Sequence, residues 1–173
     1  GYLSTAFGGL ISNVYAMGSV TGTTQLGGLV GYAGKGTISN SFATGVVRTN
    51  TTGTALGGIF GAVNTSLINN AVAVTQSNLF FDTDTTGLNS DGAGGNGSGL
   101  ATADLKGALP TNFSASDWAT AEGLYPYLSI FFPVTPHAIA GVATLSDGNV
   151  AVGAQVAHYS GGTLLNGGSV STG

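Results

Sequence analysis

One unit occurs three times in the first half of this chain. A repeat restricts the fold more than any composition figure, because each copy needs a neighbour to cover what it cannot bury alone. Leu26-Gly27-Gly28-Leu29-Val30-Gly31 returns 30 residues later as Leu56-Gly57-Gly58-Ile59-Phe60-Gly61. Behind each, at the same distance, stand Ile38-Ser39-Asn40-Ser41-Phe42-Ala43-Thr44-Gly45 and Ile68-Asn69-Asn70-Ala71-Val72-Ala73-Val74-Thr75. A copy of this second half lies upstream as Ile11-Ser12-Asn13-Val14-Tyr15-Ala16-Met17-Gly18, 27 residues before its partner. Phe7-Gly8-Gly9-Leu10 precedes it, with the middle loop deleted.

Inside a unit the pattern has period two. Ile38, Asn40, Phe42 and Thr44 alternate with the smaller Ser39, Ser41, Ala43 and Gly45, as in a pleated strand packed on one face. Glu, Lys and Arg are nearly absent, so a helical repeat has little support. Short strands with Gly, Asn, Ser and Thr turns at a period of 27 to 30 residues predict an all-β chain, a parallel β-solenoid (β-helix) of about three rungs. Charged residues make up only 6% of the 173. Stacked copies of one position lie about 4.8 Å apart, so a charge repeated in each rung would repel itself, whereas amides and hydroxyls can bond along the stack. Asn13, Asn40 and Asn69 share a repeat position and are the predicted structural ladder. Gly27, Gly28, Gly57 and Gly58 mark places where the backbone turns or another segment comes too close for a Cβ.

The predicted organisation is residues 1–78 as repeats and 79–132 as a capping segment with a glycine-rich loop. A linker at 133–138, marked by Pro133 and Pro136, leads into the start of a second β-domain at 139–173. In the capping segment, residues 100–106 read as a short helix with Thr102 as its N-cap. A cap answers the unpaired edge of a terminal rung. The chain reads as a piece of a longer protein.

Residues 26–45, LGGLVGYAGKGTISNSFATG, resemble the GLUG repeat of large bacterial surface and secreted proteins, including filamentous-haemagglutinin-like adhesins. The resemblance extends over residues 7–75. The stretch 79–127, with its FDTDTTG, GLATADLK and YPY strings and Trp118, is similar to the segment that commonly follows such repeats. Residues 137–156 resemble more weakly the first strands of small β-sandwich modules on bacterial surface proteins. The resemblance implies a β-solenoid and an extracellular or cell-surface location, and it supplies no catalytic residues.

Few residues offer chemistry. Net charge is -4 with three cations, Lys35, Arg48 and Lys106, which excludes a nucleic-acid surface. No cysteine is present for disulfides, and no apolar run is long enough for a transmembrane helix. Asp82, Asp84, Thr86 and Gly87 match the opening of a calcium loop, and Asp91 could assist, but Ala93 stands where a bidentate glutamate is needed. Calcium is therefore the one candidate cofactor, set against a polar turn in which Asp accepts backbone N–H groups. Gly92, Gly94 and Gly97 satisfy a dinucleotide fingerprint by letter without the strand, helix and acidic residue it requires. His137 and His158 are the only imidazoles, without a nucleophile motif to serve. Carboxylates number seven, none of them in the repeats, which argues against an enzyme. Trp118, Tyr125 and Tyr127 fit either a sugar-stacking platform or a hydrophobic cap. Thr49, Thr51, Thr52 and Thr54 raise an ice-binding face but occupy a single segment.

The expected function is a non-catalytic structural or adhesive segment of a bacterial cell-surface or extracellular fibrous protein, with strand pairing between neighbouring copies as a route to filaments. The alternatives are a carbohydrate-binding or carbohydrate-active β-helix and an ice-binding solenoid. Expected partners are neighbouring copies or further domains of the same protein, and a glycan or host surface.

Overall fold

The computed structural model describes residues 9–52, 54–68, 71–136 and 145–147, with backbone pairing at Tyr2–Leu3 and in short strands between 155 and 171. Two compact units emerge, Gly1–Pro136 and His137–Gly173. Among its described residues the first is built of short strands and two single-turn helices, so the all-β expectation holds for it. Its strands pair in parallel with strands one repeat further on. Gly9–Ser12 and Tyr15–Ala16 lie against Gly36–Ala43, which lies against Val74–Asp82, which lies against Ser98–Leu100. Val20–Gly22 pairs with Val47–Thr49, and Leu26–Gly27 with Leu56–Gly57. Tyr2–Leu3, Val30–Ala33 and Phe60–Val63 form another ladder, extended by a bridge from Ala62 to Ala93.

Register corrects the sequence alignment of the third copy. Ile38 pairs with Gln76, not with Ile68, and Phe42 pairs with Phe80. Leu67–Ile68 and Ala71–Val72 instead pair antiparallel with each other, an insertion that lengthens this circuit. The true third copy is Ser77-Asn78-Leu79-Phe80, equivalent to Ser39-Asn40-Ser41-Phe42 and Ser12-Asn13-Val14-Tyr15. Its strand runs on through residue 78, where composition placed the end of the repeats. Asn69 lies outside the described residues.

The period-two reading also needs one change. Ile38 and Phe42, four apart, should share a face, yet Ile38 packs in the inner core with Ala33, Ile59, Val63 and Phe81, while Phe42 packs outside with Phe113 and Trp118. Asn40 explains the switch, because its φ of 47° puts a left-handed corner within the strand. Ser41 then faces inward and is fully buried, and its hydroxyl donates to the Ser39 carbonyl.

Beyond Asp82 the chain forms α1 (Thr83–Thr86), a glycine-rich loop, the strand Ser98–Leu100 and α2 (Thr102–Leu105). Ala101 is the N-cap of α2 and has no side-chain cap bond, so Thr102 is its first residue and not its cap. Residues 107–130 then pass back across the outer face as a strap, with a small antiparallel pair of Trp118–Ala119 and Tyr127–Leu128. In the second unit Gln155–Val156 pairs with Val170–Ser171 and Tyr159–Ser160 with Thr163–Leu164, both antiparallel. The remaining strand expectations at 139–154, and His137 and His158, lie outside the described residues.

Candidate functional site

The four repeat glycines are required by close approach. A Cβ on Gly27 would lie 2.4 Å from the Ile59 carbonyl oxygen of the next circuit, and one on Gly28 2.3 Å from that of Gly58. On Gly57 it would meet the Gly92 nitrogen at 2.1 Å, and on Gly58 the Phe81 ring at 2.0 Å. None of the four has positive φ, so of the two sequence readings it is the approach of another segment that applies. These paired glycines let successive circuits touch backbone to backbone.

On the outer face two columns run along the stack. Asn13, Asn40 and Asn78 are equivalent by register, and all take positive φ, at 53°, 47° and 51°. Asn78 Nδ2 donates to Asn40 Oδ1 at 2.8 Å. A fourth asparagine, Asn112 from the strap, adopts φ 66° and donates to Asn78 Oδ1 at 3.1 Å. At the opposite end Asn13 donates to Asp117 Oδ2 at 3.2 Å and accepts from Trp118 Nε1 at 3.3 Å. The strap thus holds the asparagine column at both ends. Beside it Tyr15, Phe42 and Phe80 form an aromatic column, with Tyr15 stacked on Phe42 at 5.5 Å between centroids. Phe113 and Trp118 cover these rings, and Tyr125 stacks on Phe42 at 6.3 Å. Trp118 is 1% exposed and Tyr127 8%. Of the two readings of these aromatics, the geometry is that of a cap, since their faces are covered and Tyr125 carries the Lys106 ammonium 4.7 Å from its ring centre. A groove of about 290 Å³ opens beside the strap, lined by Asn13, Ser116, Asp117, Leu128, Ser129 and Ile130, with no aromatic ring for a sugar to stack on.

Two carboxylates gather donors near the C-terminal end of the ladders. In the inner turn the Ile59 carbonyl accepts from Leu29 and Val30 N–H of the preceding circuit. The equivalent N–H groups of Ile59 and Phe60 are met by Asp91 Oδ1, at 2.9 and 2.7 Å. Asp91 also takes the N–H of Gly92 and, through Oδ2, that of Gly97. One side chain of the partial circuit that follows therefore does for Ile59 and Phe60 what the Ile59 peptide carbonyl does for Leu29 and Val30. Asp82 ends the strand Val74–Asp82 and is fully buried. Its Oδ1 caps α1 through the N–H groups of Asp84 and Thr85, and its Oδ2 accepts from the hydroxyls of Thr102 (2.6 Å) and Tyr125. Burial pushes this carboxyl up, but the hydrogen bonds from Thr102, Tyr125, Thr85 and Asp84 together outweigh it and hold it below the ordinary range. Burial and the neighbouring Asp82 carboxylate push the Tyr125 phenol up.

The candidate calcium ligands are thereby engaged elsewhere. Asp82 caps a helix that ends at Gly87 in the left-handed region, Asp84 Oδ2 accepts from Thr102 N–H at 2.9 Å, and Asp91 takes four N–H groups. Among the described residues no three His, Cys, Asp or Glu gather to hold a metal. Thr49, Thr51 and Thr54 turn their hydroxyls toward one another, not outward as a flat array. No described helix is long and apolar enough to cross a membrane. Sequence reasoning missed Asn78, Asn112, Phe113 and Asp117. The signal for Asn78 was the Ser-Asn-x-aromatic string, but the other three belong to no repeat.

The chain carries a GLUG motif: residues 22–48 match the family model described as Glug, the GLUG motif. That span begins at Gly22 and ends one residue before Thr49, the strand partner of Gly22, so the motif is one full circuit of the ladder. No curated protein and no solved structure is detectably similar to the chain.

Proposed function

We propose that this chain is a non-catalytic structural and adhesive segment of a bacterial cell-surface or extracellular protein. In this reading GLUG circuits stack as a β-solenoid, residues 83–130 close one end and brace one side, and a second β unit follows. The carrying observation is that the motif spans one circuit and that each circuit meets the next in parallel register. Such a stack resists bending and stretching because backbone bonds, glycine contacts and the outer columns all join neighbouring circuits. The motif's usual setting supports the extracellular location. Engagement of Asp82 and Asp91 by hydrogen bonds supports a non-catalytic role, since neither carboxylate is left to act as acid or base.

Two forms of this function differ in assembly. The strap that brackets the asparagine column at Asn13 and Asn78 favours a stalk over a head-to-tail polymer, whereas a polymer would have to pair on the edge strand Ser98–Leu100. Electron cryo-microscopy of the purified chain should show isolated short particles. Ordered fibres joined end to end through strand pairing would overturn the stalk reading in favour of a filament subunit.

A further inference from the structure

Four asparagines of this chain open an Asn-x-Ser/Thr string without proline in the middle: Asn50-Thr51-Thr52, Asn64-Thr65-Ser66, Asn96-Gly97-Ser98 and Asn112-Phe113-Ser114. That string is the acceptor pattern for a sugar joined to the asparagine amide nitrogen, and the hydroxyl two residues on is part of what a transferase reads. The letters do not separate the four strings, but the fold does. Asn64 Nδ2 donates to the Gly34 carbonyl at 3.2 Å, and Asn64 Oδ1 accepts from Ser66 N–H at 3.0 Å, closing a turn inside the string itself. Asn112 Nδ2 donates to Asn78 Oδ1 at 3.1 Å in the asparagine column, and the Ser114 hydroxyl lies 2.8 Å from that of Ser116. Both of these amides are therefore engaged.

At the other two strings the opposite holds. Asn50, Thr52, Asn96 and Ser98 are all exposed, and among the described residues none of these four side chains has a hydrogen-bond partner. Their backbone is held all the same: Thr51 N–H donates to Thr49 Oγ1, Asn96 N–H to Gln76 Oε1 and Gly97 N–H to Asp91 Oδ2. Each string is a tethered turn whose amide and hydroxyl both remain in solvent. We propose that Asn50 and Asn96 are N-glycosylation sites, each taking a hexose from a nucleotide-activated donor. The inference rests on the cell-surface or extracellular location proposed above.

In the transfer, a bond forms between asparagine Nδ2 and the anomeric carbon of the sugar, and the bond from that carbon to the phosphate oxygen breaks. The nucleoside diphosphate leaves with the electron pair, and one amide proton passes to a base of the transferase. Sugar at Asn96 has a consequence for the stack. Ser98–Leu100 stands at the end of its sheet, paired with Val74–Asp82, and its Ser98 and Gly99 are exposed. Sheet edges are commonly guarded against strand addition by charge or proline, and this strand has neither. A bulky, hydrated sugar two residues ahead of it supplies that guard.

The test incubates the whole folded chain, and in parallel its proteolytic peptides, with a soluble asparagine glucosyltransferase and UDP-glucose, and maps the products by mass spectrometry. Rates are compared site by site as the ratio of folded chain to peptide, so the preference of the enzyme for one string over another cancels. That ratio should be at least about tenfold higher at Asn50 and Asn96 than at Asn64 and Asn112, whose amides must first give up their hydrogen bonds. Thr52→Ala and Ser98→Ala, at exposed positions without partners, should each silence their own site and leave the other unchanged. Equal ratios at all four asparagines overturn the proposal. So does a folded chain that takes no hexose at Asn50 and Asn96, or transfer that survives loss of the hydroxyl. Particle shape in electron cryo-microscopy reads the stalk separately, so failure of one reading is told apart from failure of the other.

Discussion

From Gly9 to Asp82 the chain meets each need by repetition, and from Thr83 to Ile130 it meets the same needs by substitution. In the repeats a backbone N–H finds the carbonyl of the next circuit, and an asparagine finds the next asparagine. In the segment that follows, Asp91 replaces the carbonyl and Asn112, on no strand of the ladder, replaces the asparagine. A stack of identical circuits has no internal reason to stop. Terminating it takes residues that resemble the repeat in hydrogen bonding and differ from it in everything else.

Breaking the repeated side should cost most. Gly58→Ala puts a methyl into the Phe81 ring, so a loss of at least about 3 kcal/mol, or failure to fold, is expected in denaturant unfolding. On the substituted side, Asp82→Ala removes the cap of α1 and orphans Tyr125 and Thr102, for a loss of about 3 kcal/mol. Asp91→Asn keeps one acceptor oxygen for Ile59 and Phe60 but puts an amide against Gly97 N–H. A smaller loss of about 1 to 2 kcal/mol is the expected result. Least costly is Asn40→Gly, which keeps the left-handed corner and loses only the bond to Asn78, at about 1 kcal/mol. Asn40→Ala, which cannot take φ 47° without strain, should cost about twice that.

Acid and base address the Asp82–Tyr125 pair directly. The folded carboxyl titrates below its ordinary 3.8, so its contribution is complete above that pH and is lost as pH falls through the lower folded value. For Tyr125, raised above 10.0, the contribution is present below that pH and disappears as pH rises through the higher folded value. Unfolding of Asp82→Asn should lack the acid limb and Tyr125→Phe the alkaline limb. Identical profiles for either variant and the unaltered chain would remove this pair from the account.

Repetition is also what made half of the molecule legible. The 27-residue spacing of Ser12-Asn13 and Ser39-Asn40 became a real strand register, with Ser39 donating to Ser12. The paired glycines became contacts between circuits. Misalignment of the third copy came from trusting a constant period across an inserted strand pair, when the Ser77-Asn78 string held the answer. The strap was legible only as a cap. Which rings Trp118 and Phe113 cover depends on a chain path set by tertiary packing, and neither spacing nor propensity encodes that in one sequence. Asp82 and Asp91 looked like cation ligands because a carboxylate gathering N–H groups and one gathering a metal read alike in sequence.

The strap also sets an order of events. Circuits meet across 27 residues, whereas Trp118 reaches Asn13 across 105. Closing the longer loop costs roughly 1 kcal/mol more in chain entropy, and none of that closure can begin before residue 118 exists. On a ribosome, or while threading through a narrow passage in extended form, the chain therefore exposes Tyr15 and Phe42 for the whole interval in which its first circuits are already able to pair. During vectorial synthesis the aromatic column is thus an apolar surface without its cover until the strap arrives.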